Sequence, residues 1–422
     1  TAAELKTALD NKANQIVVGA DIEGSFEIKK DSNTTIDLGG NTVTSNGHAF
    51  IVESGAKVSI NNGKIAAQNK DAAVYNNGYT TLNVKLQKKA YESIGSDKGA
   101  VFIMDPSTGA VLTTASKPSF NPEKLDKIWD DISTDNENSP LLNRATLGLY
   151  TPGSTFKIVT TLAYMNQHKN YYYSCYNNFS YYCQGRALFH NFKINCFDGH
   201  AHGSEDFEHA FANSCNSAFS TMGDELNLKK YIKTVNGLLF NEIIPFDNFN
   251  TRDSNYCKKS RFVLNENSTQ AEVAQTSIGQ GETLVTPAHM AMLAAAIANK
   301  GVLMKPYMID KVENSNGTIV SQVEQTECKK LMTKAQAKQL QEYMSAVCDY
   351  GTARIFSGSS YEVYGKTGTA ELDKNNNVNS WFVGYAKKGK KQLAIAVVYE
   401  NIKDGTISAK ECAKEIFDDY FK

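Results

Sequence analysis

Three short stretches carry side chains whose types and spacing could do covalent chemistry. In Thr151-Pro-Gly-Ser-Thr-Phe-Lys157 a Pro-Gly pair precedes a helical pattern. Ser154 stands at its start, and Phe156, Ile158, Val159 and Leu162 form its apolar side. Ser154 and Lys157 are three apart, so they share one helical face within reach of each other. A helix N-terminus presents unpaired N–H groups and partial positive charge. A hydroxyl there can be a nucleophile. A lysine whose pKa is drawn down from about 10.4 by burial and neighbouring cations can be its base. The pair alone is weak, because S-x-x-K recurs roughly twice by chance in a chain of this length. A Ser N-cap followed by a surface Lys explains it equally well.

The second stretch, Ser214-Cys-Asn216, lies in a helical pattern. A serine beside an asparagine can relay a proton and hold a substrate amide, although a polar helix start is the plainer reading. The third, Tyr364-Gly-Lys-Thr-Gly-Thr369, follows a short strand pattern. Its small residues allow close approach of a ligand to backbone. Lys366 offers charge, and Thr367 and Thr369 offer hydroxyls, unless this is only a turn with an exposed lysine.

The order S-x-x-K, S-x-N about 60 residues on, and K-T-G about 150 further is far more specific. It is the motif set of the serine penicillin-recognising enzymes. From about residue 81 to 422 the sequence resembles the D,D-transpeptidase domain of a class B-like penicillin-binding protein. Leu86-Gln-Lys-Lys-Ala90 and Lys98-Gly-Ala-Val-Phe-Ile-Met-Asp-Pro-Ser-Thr-Gly109 resemble its opening helix and hairpin. Pro118-Ser-Phe-Asn-Pro122 and Asn143-Arg-Ala145 resemble the approach to the nucleophile. Gln275-Thr-Ser-Ile-Gly-Gln-Gly281, Thr286-Pro287 and Trp381-Phe-Val-Gly-Tyr385 match further stretches.

The resemblance implies catalytic roles for Ser154, Lys157, Ser214, Asn216 and Lys366, and substrate binding by Thr367, Gly368 and Thr369. Ser154 would attack a peptidoglycan stem peptide, with Lys157 taking its proton. Backbone N–H groups of Ser154 and Thr369 would hold the oxyanion. Ser214 would pass the proton toward the leaving D-alanine, and Asn216 would bind the substrate amide. Lys366 and Thr367 would fix the substrate carboxylate. No cofactor is required. β-Lactams would acylate the same serine. The implied partners are stem peptides, β-lactams and the cell-wall synthesis machinery. The implied place is the cell envelope, with membrane attachment through an anchor absent from this chain. Class D-like serine β-lactamases share the Ser-Thr-Phe-Lys stretch and are the alternative. A β-lactam-sensing receptor domain, a non-catalytic wall scaffold and a glycan-binding adhesin are further readings.

The elements that must position these residues fall into two compositions. Residues 81–422 show strand patterns at 99–104, 110–114, 361–365, 380–386 and 392–400. Helical patterns lie at 153–167, 205–220, 287–300, 333–349 and from about 408. Strands at both ends with helices between predict an α+β domain, an antiparallel sheet flanked by helices. Residues 169–204 and 240–268 read as irregular insertions. Residues 1–80 lack Pro, Cys, Trp and Arg, and are dense in Gly, Asn, Thr and short β-branched runs. Ile36-x-Leu38 aligned with Val58-x-Ile60, Val43 with Ile65, and Leu82-x-Val84 as a third copy predict a repeat of about 22 to 24 residues. That suits a small all-β, solenoid-like module resembling a pectin-lyase-like parallel β-helix. A Gly/Asn-rich antiparallel module is the alternative.

Lys plus Arg total 44 and Asp plus Glu 45, which argues against a chain built to bind nucleic acid. The apolar run Met290–Ala298 is shorter than the roughly 20 residues of a membrane-spanning helix. The chain starts at Thr1 without Met, so a processed or trimmed fragment is expected. All eight cysteines follow residue 174. Cys175, Cys183, His190, Cys196, His200 and His202 crowd one insertion. They suit a disulfide such as Cys183–Cys196, a zinc site, or neither, and their spacing matches no standard finger. Cys215 reads as a small packed residue.

Overall fold

The computed structural model describes residues 1–46, 49–53, 56–61, 64–67, 74–76, 84–168, 179–246, 257–313, 319–372 and 376–422. Two compact units result: Thr1–Thr81 with Ile309–Val323, and Leu82–Met308 with Glu324–Lys422. Among the described residues no helix is long and apolar enough to cross a membrane.

In the first unit the chain visits three parallel sheets in rotation. Gln15–Val17, Asn33–Asp37 and Lys57–Asn61 form one sheet; Ile22–Glu23, Thr42–Ser45 and Lys64–Ala67 form the next. Phe26–Ile28, Phe50–Val52 and Val74–Asn76 form the third. Ile28, Ile36, Val43 and Phe50 are fully enclosed and make the core between them. The register differs from the expected repeat. Ile36 pairs with Ile60 and Thr34 with Val58, two residues from the sequence alignment, whereas Val43 pairs with Ile65 as aligned. A slip of two keeps every side chain on its own face, so the apolar pattern alone does not detect it. The proposed third copy fails as a strand. Val84 opens the helix Val84–Ser93, and Leu82 lies outside the described residues. The unit is not all-β either, because it opens with the helix Ala2–Asp10. Thr1 and Glu4 form a capping box, and Leu5 and Leu9, one turn apart, enter the core.

The second unit is built on a five-stranded antiparallel sheet. Its order is Val111–Lys117, Gly99–Met104, Lys391–Lys403, Asn377–Lys388, Glu362–Glu371. The hairpin at one end of the chain thus pairs with strands from the other end. Helix Pro287–Ala298 is apolar on all sides because it is buried on all sides, packed on Gly99–Met104 and Lys391–Lys403. Helices Ala409–Tyr420 and Val84–Ser93 also pack on the sheet. The expected helices at 153–167, 287–300, 333–349 and beyond 408 all form. Leu125–Thr134, Leu228–Gly237 and Gln270–Ser277 are additional helices.

The helix expected over 205–220 is broken in two, Phe207–Ala212 and Asn216–Asp224. Between them Ser214 adopts φ 58°, a left-handed conformation uncommon for a residue with a side chain. The insertion expected over 169–204 is described from residue 179, and it holds the short paired strands Tyr181–Cys183, Arg186–Leu188, Lys193–Asn195 and Gly203–Glu205. Residues 247–256 of the second insertion lie outside the described residues.

Candidate active site

The segment leading to Ser154 is held from several sides. Arg144, buried, donates from Nε to Glu400 Oε2 at 2.7 Å and from its terminal nitrogens to the carbonyls of Asn138 and Ser139. Tyr150 donates to the same carboxylate at 3.0 Å. Trp381 Nε1 donates to the Thr151 carbonyl at 3.0 Å. Strand Lys391–Lys403 and its neighbour thus fix the approach. Ser154 then lies in a single 3-10 turn, Gly153–Phe156, that runs into helix Lys157–Gln167. From Lys157 to Met165 every residue of that helix is buried.

Lys157 is fully enclosed, at 0% exposure. Its Nζ donates to the Ser214 carbonyl at 2.6 Å, to Asn216 Oδ1 at 2.7 Å and to Ser214 Oγ at 3.2 Å. An ammonium has three protons, and all three are used. Burial draws its pKa down to about 8, against smaller opposing effects of Cys215, Cys196 and Glu205. Lys366, also enclosed, donates to Ser214 Oγ at 2.9 Å. Burial, and then the charge of Lys157, push its pKa well below the ordinary lysine value. The rings of Phe219 and Phe211 lie 5.3 Å and 5.7 Å from the two ammoniums.

Strand alternation explains the third motif. Thr367 and Thr369 share one face and line a cavity of about 430 Å³ with Ser154, Ser214 and Asn216. Gly368 lies between them on the other face. A Cβ there would lie 2.9 Å from the Pro152 carbonyl and from Thr155 Cγ2, so a side chain would push the nucleophile turn away. Gly279 has a similar role from the other side. With φ +80°, a Cβ on it would meet the Gly153 carbonyl at 1.8 Å.

All eight sequence-derived residues therefore converge on one place. Lys366 differs in detail from expectation. Its ammonium is turned inward to Ser214 rather than into the cavity, leaving Thr367 and Thr369 as the hydroxyls a ligand would meet. Thr367 Oγ1 bonds Thr352 Oγ1 at 2.6 Å. Sequence reading missed Thr352, Gln280 and Lys410, which also line the cavity. Lys410 is the second residue of the last helix, and nothing in its own surroundings in the sequence marks it.

A second cluster adjoins the first. The Sγ atoms of Cys183, Cys196 and Cys215 and a ring nitrogen of His202 lie within 4.8 Å of one another. The disulfide weighed for Cys183–Cys196 is not formed. The sulfurs are 3.7 Å apart, against about 2.05 Å for a bond. Cys215 is not merely packed, since its sulfur lies 3.8 Å from Cys196 Sγ and caps helix Asn216–Asp224. His190 is exposed and bonded to Asn191, His200 lines the cavity, and Cys175 lies outside the described residues.

Comparison with known proteins gives the family and the fold. The family model "Penicillin binding protein transpeptidase domain" matches residues 99–419. The chain is 26% identical over 380 residues to peptidoglycan D,D-transpeptidase MrdA of Acinetobacter baumannii, covering 83% of this chain and 54% of that protein. It is 27% identical over 345 residues to peptidoglycan D,D-transpeptidase PbpA of Mycobacterium tuberculosis, covering 76% of this chain and 67% of the relative. The chain thus spans about half to two thirds of the length of these relatives. A crystal structure of the D,D-transpeptidase domain of a peptidoglycan glycosyltransferase from Eggerthella lenta superposes with TM-score 0.73 at 28% identity, over 82% of each chain. The ceftriaxone acyl-enzyme complex of penicillin-binding protein A from M. tuberculosis superposes with TM-score 0.68 at 25% identity, over 81% of this chain and 78% of that one.

Proposed function

The chain belongs to the penicillin-binding protein transpeptidase domain family, and from that membership we propose that it is a serine D,D-transpeptidase cross-linking peptidoglycan stem peptides. The observation that carries the reading is Lys157, a buried amine drawn down to about 8 and bonded to the Ser214–Asn216 turn beside Ser154. At pH 7.5 such an amine is neutral in about a quarter of molecules, against about one in a thousand for an ordinary lysine.

Neutral Lys157 takes the proton of Ser154 Oγ as that oxygen bonds to the carbonyl carbon of the penultimate D-alanine. The oxyanion is held by the backbone N–H groups of Ser154 and Thr369. Collapse breaks the peptide bond. Ser214, in contact with both lysines, passes a proton to the leaving D-alanine amine, and the acyl group stays on Ser154. The amine of a second stem peptide then attacks the ester, gives up a proton to the same relay, and frees Ser154 as a new peptide bond forms. A β-lactam enters by the first step but keeps its leaving group tethered, so the acyl-enzyme persists. Asn216 holds the substrate amide, and Thr367 and Thr369 receive its carboxylate while Lys366 holds Ser214 Oγ from behind. Work at the outer face of the cytoplasmic membrane, attachment there by a segment outside this sequence, and partnership with cell-wall synthesis proteins belong to the same proposal.

Intact-mass spectrometry with a penicillin, followed over hours, tests it. A stable one-drug adduct mapping to Ser154 is expected, with none in Ser154→Ala and an unchanged circular dichroism spectrum in that variant. Rapid loss of the adduct with hydrolysed drug would make the protein a β-lactamase. An adduct on Ser154→Ala would end the assignment.

A further inference from the structure

Thr367, Thr369 and Glu371 alternate along the strand Glu362–Glu371 and share the face that opens to the cavity. Lys366, Gly368 and Ala370 are buried. The nucleophile turn is seated midway along the open row. A Cβ on Gly368 would lie 2.9 Å from the Pro152 carbonyl, and one on Gly153 would lie 2.8 Å from the Thr369 carbonyl. A substrate that reacts with Ser154 does so beside Thr369, and its two arms extend toward Thr367 and toward Glu371.

The two ends differ in charge. At one end Thr367 Oγ1 bonds Thr352 Oγ1 at 2.6 Å, and Lys410 Nζ donates to the Thr352 carbonyl at 3.0 Å. Hydroxyls and an ammonium suit a carboxylate. At the other end stands Glu371, exposed and, among the described residues, without a hydrogen-bond or ion-pair partner. Of the described residues lining the cavity, Glu371 is the only carboxylate and Lys410 the only lysine or arginine. Thr367 and Glu371 are four strand residues apart, a span of roughly 13 Å. A stem peptide has the same dimension. Its terminal carboxylate and the α-carbon before the D-alanine pair are about 7 Å apart in an extended chain. A four-carbon side chain ending in an ammonium adds about 6 Å. Cross-linking itself supplies that ammonium. The acceptor is an amine of a second stem, and a donor of the same composition carries the same amine.

Resting on the transpeptidase reading, we propose that Glu371 selects the donor stem. Its carboxylate pairs with a free ammonium on the side chain of the residue before the D-alanine pair, while the Thr367–Thr352–Lys410 end receives the terminal carboxylate. An amine already acylated in an earlier cross-link carries no charge and loses this partner. The enzyme thus favours donors that have not yet served as acceptors. Glu371 sets specificity and takes no part in acyl transfer.

The probes are Nα-acetyl-L-lysyl-D-alanyl-D-alanine with its side-chain amine free and the same peptide with that amine acetylated. Release of D-alanine gives kcat/KM for each. Where release is slow, the peptide concentration that halves acylation of Ser154 by penicillin gives the same ratio. The unaltered protein is expected to prefer the free amine about fivefold, the worth of one partly screened ion pair. Added salt should shrink that preference. Glu371→Gln should abolish it. Glu371→Lys should reverse it in favour of a peptide whose amine is succinylated and so ends in a carboxylate. Each ratio is read within one protein, so a variant with slower chemistry still reports. Equal use of the two peptides by the unaltered protein, or a preference that survives in Glu371→Gln, would overturn the proposal. A chain that penicillin acylates stably but that shows no preference fails this inference alone. A chain that penicillin does not acylate loses the transpeptidase reading and this one with it.

Discussion

The Lys157–Lys366 pair and the Cys183–Cys196–Cys215–His202 group share one turn, Ser214–Asn216, yet they accommodate buried charge in opposite ways. Moving an ammonium out of water costs several kcal/mol even after the protein relaxes. The lysines face carbonyl, amide and hydroxyl oxygens but, among the described residues, no carboxylate partner within hydrogen-bond distance. They therefore hold their protons weakly, which is what a base near neutral pH requires. The thiols face one another and an imidazole at 3.3 to 3.8 Å. Burial beside neutral acceptors makes a reactive group, and burial among thiols and an imidazole makes a group whose members share protons.

The comparison breaks first at Lys157. Arginine there keeps the positive charge and the hydrogen-bonding capacity but cannot give up its proton near neutral pH. If Lys157 matters as a base, Lys157→Arg slows acylation by about 10²–10⁴. A rate within threefold of the unaltered protein, read by stopped-flow with a chromogenic cephalosporin, would show that charge alone suffices. The pH profile sharpens the same point. The folded pKa of about 8 lies below the ordinary lysine value, so Lys157 becomes neutral as pH rises through that point. Acylation should climb about tenfold per pH unit from pH 6 and level off above about 8. A flat profile between pH 6 and 9 would remove Lys157 from the role.

Much of the first cluster was legible in the sequence because its residues come in three ordered motifs of fixed internal spacing. Ser154 and Lys157 are neighbours on a helix, and Thr367 and Thr369 are neighbours on a strand face. The second cluster was legible only as a crowd of cysteines and histidines. Its members come from four short segments whose meeting depends on tertiary structure. Cys215 was hidden because it sits inside a motif read for its flanking residues. The break at Ser214 was hidden for a related reason: the helical pattern runs on across it, and the lysine bonds that hold the turn come from far along the chain. In the first unit, alternation gave the inward faces of Ile36 and Val43 but not the register of Ile36 with Ile60, since a shift of two leaves alternation intact.

A third lysine tests where the first cluster ends. Lys410 lines the cavity, half-buried, and donates to the Thr352 carbonyl at 3.0 Å. Among the described residues it has no ion-pair partner, so its charge is available to a bound carboxylate. Unlike Lys157 it makes, among the described residues, no hydrogen bond to a catalytic motif residue. Lys410→Ala should weaken the encounter affinity for penicillin about fivefold and leave the limiting acylation rate unchanged, the signature of uniform binding. Loss in the limiting rate would place Lys410 inside the reacting cluster instead.

The smallest effect belongs to a thiol outside the second cluster. Cys412 is buried in helix Ala409–Tyr420, and burial pushes its pKa up to about 12. It shares burial with Cys196 but, among the described residues, lies beside Tyr399 rather than other sulfurs or an imidazole. If clustering, rather than burial, is what ties thiols to the reacting turn, Cys412→Ala should keep its acylation rate. It should lose only about 1 kcal/mol, seen as a fall of roughly 2–4 °C in Tm. Slowed acylation in that variant would mean that the reacting turn depends on the packing of the whole unit, and the contrast between the two clusters would no longer rest on their local geometry.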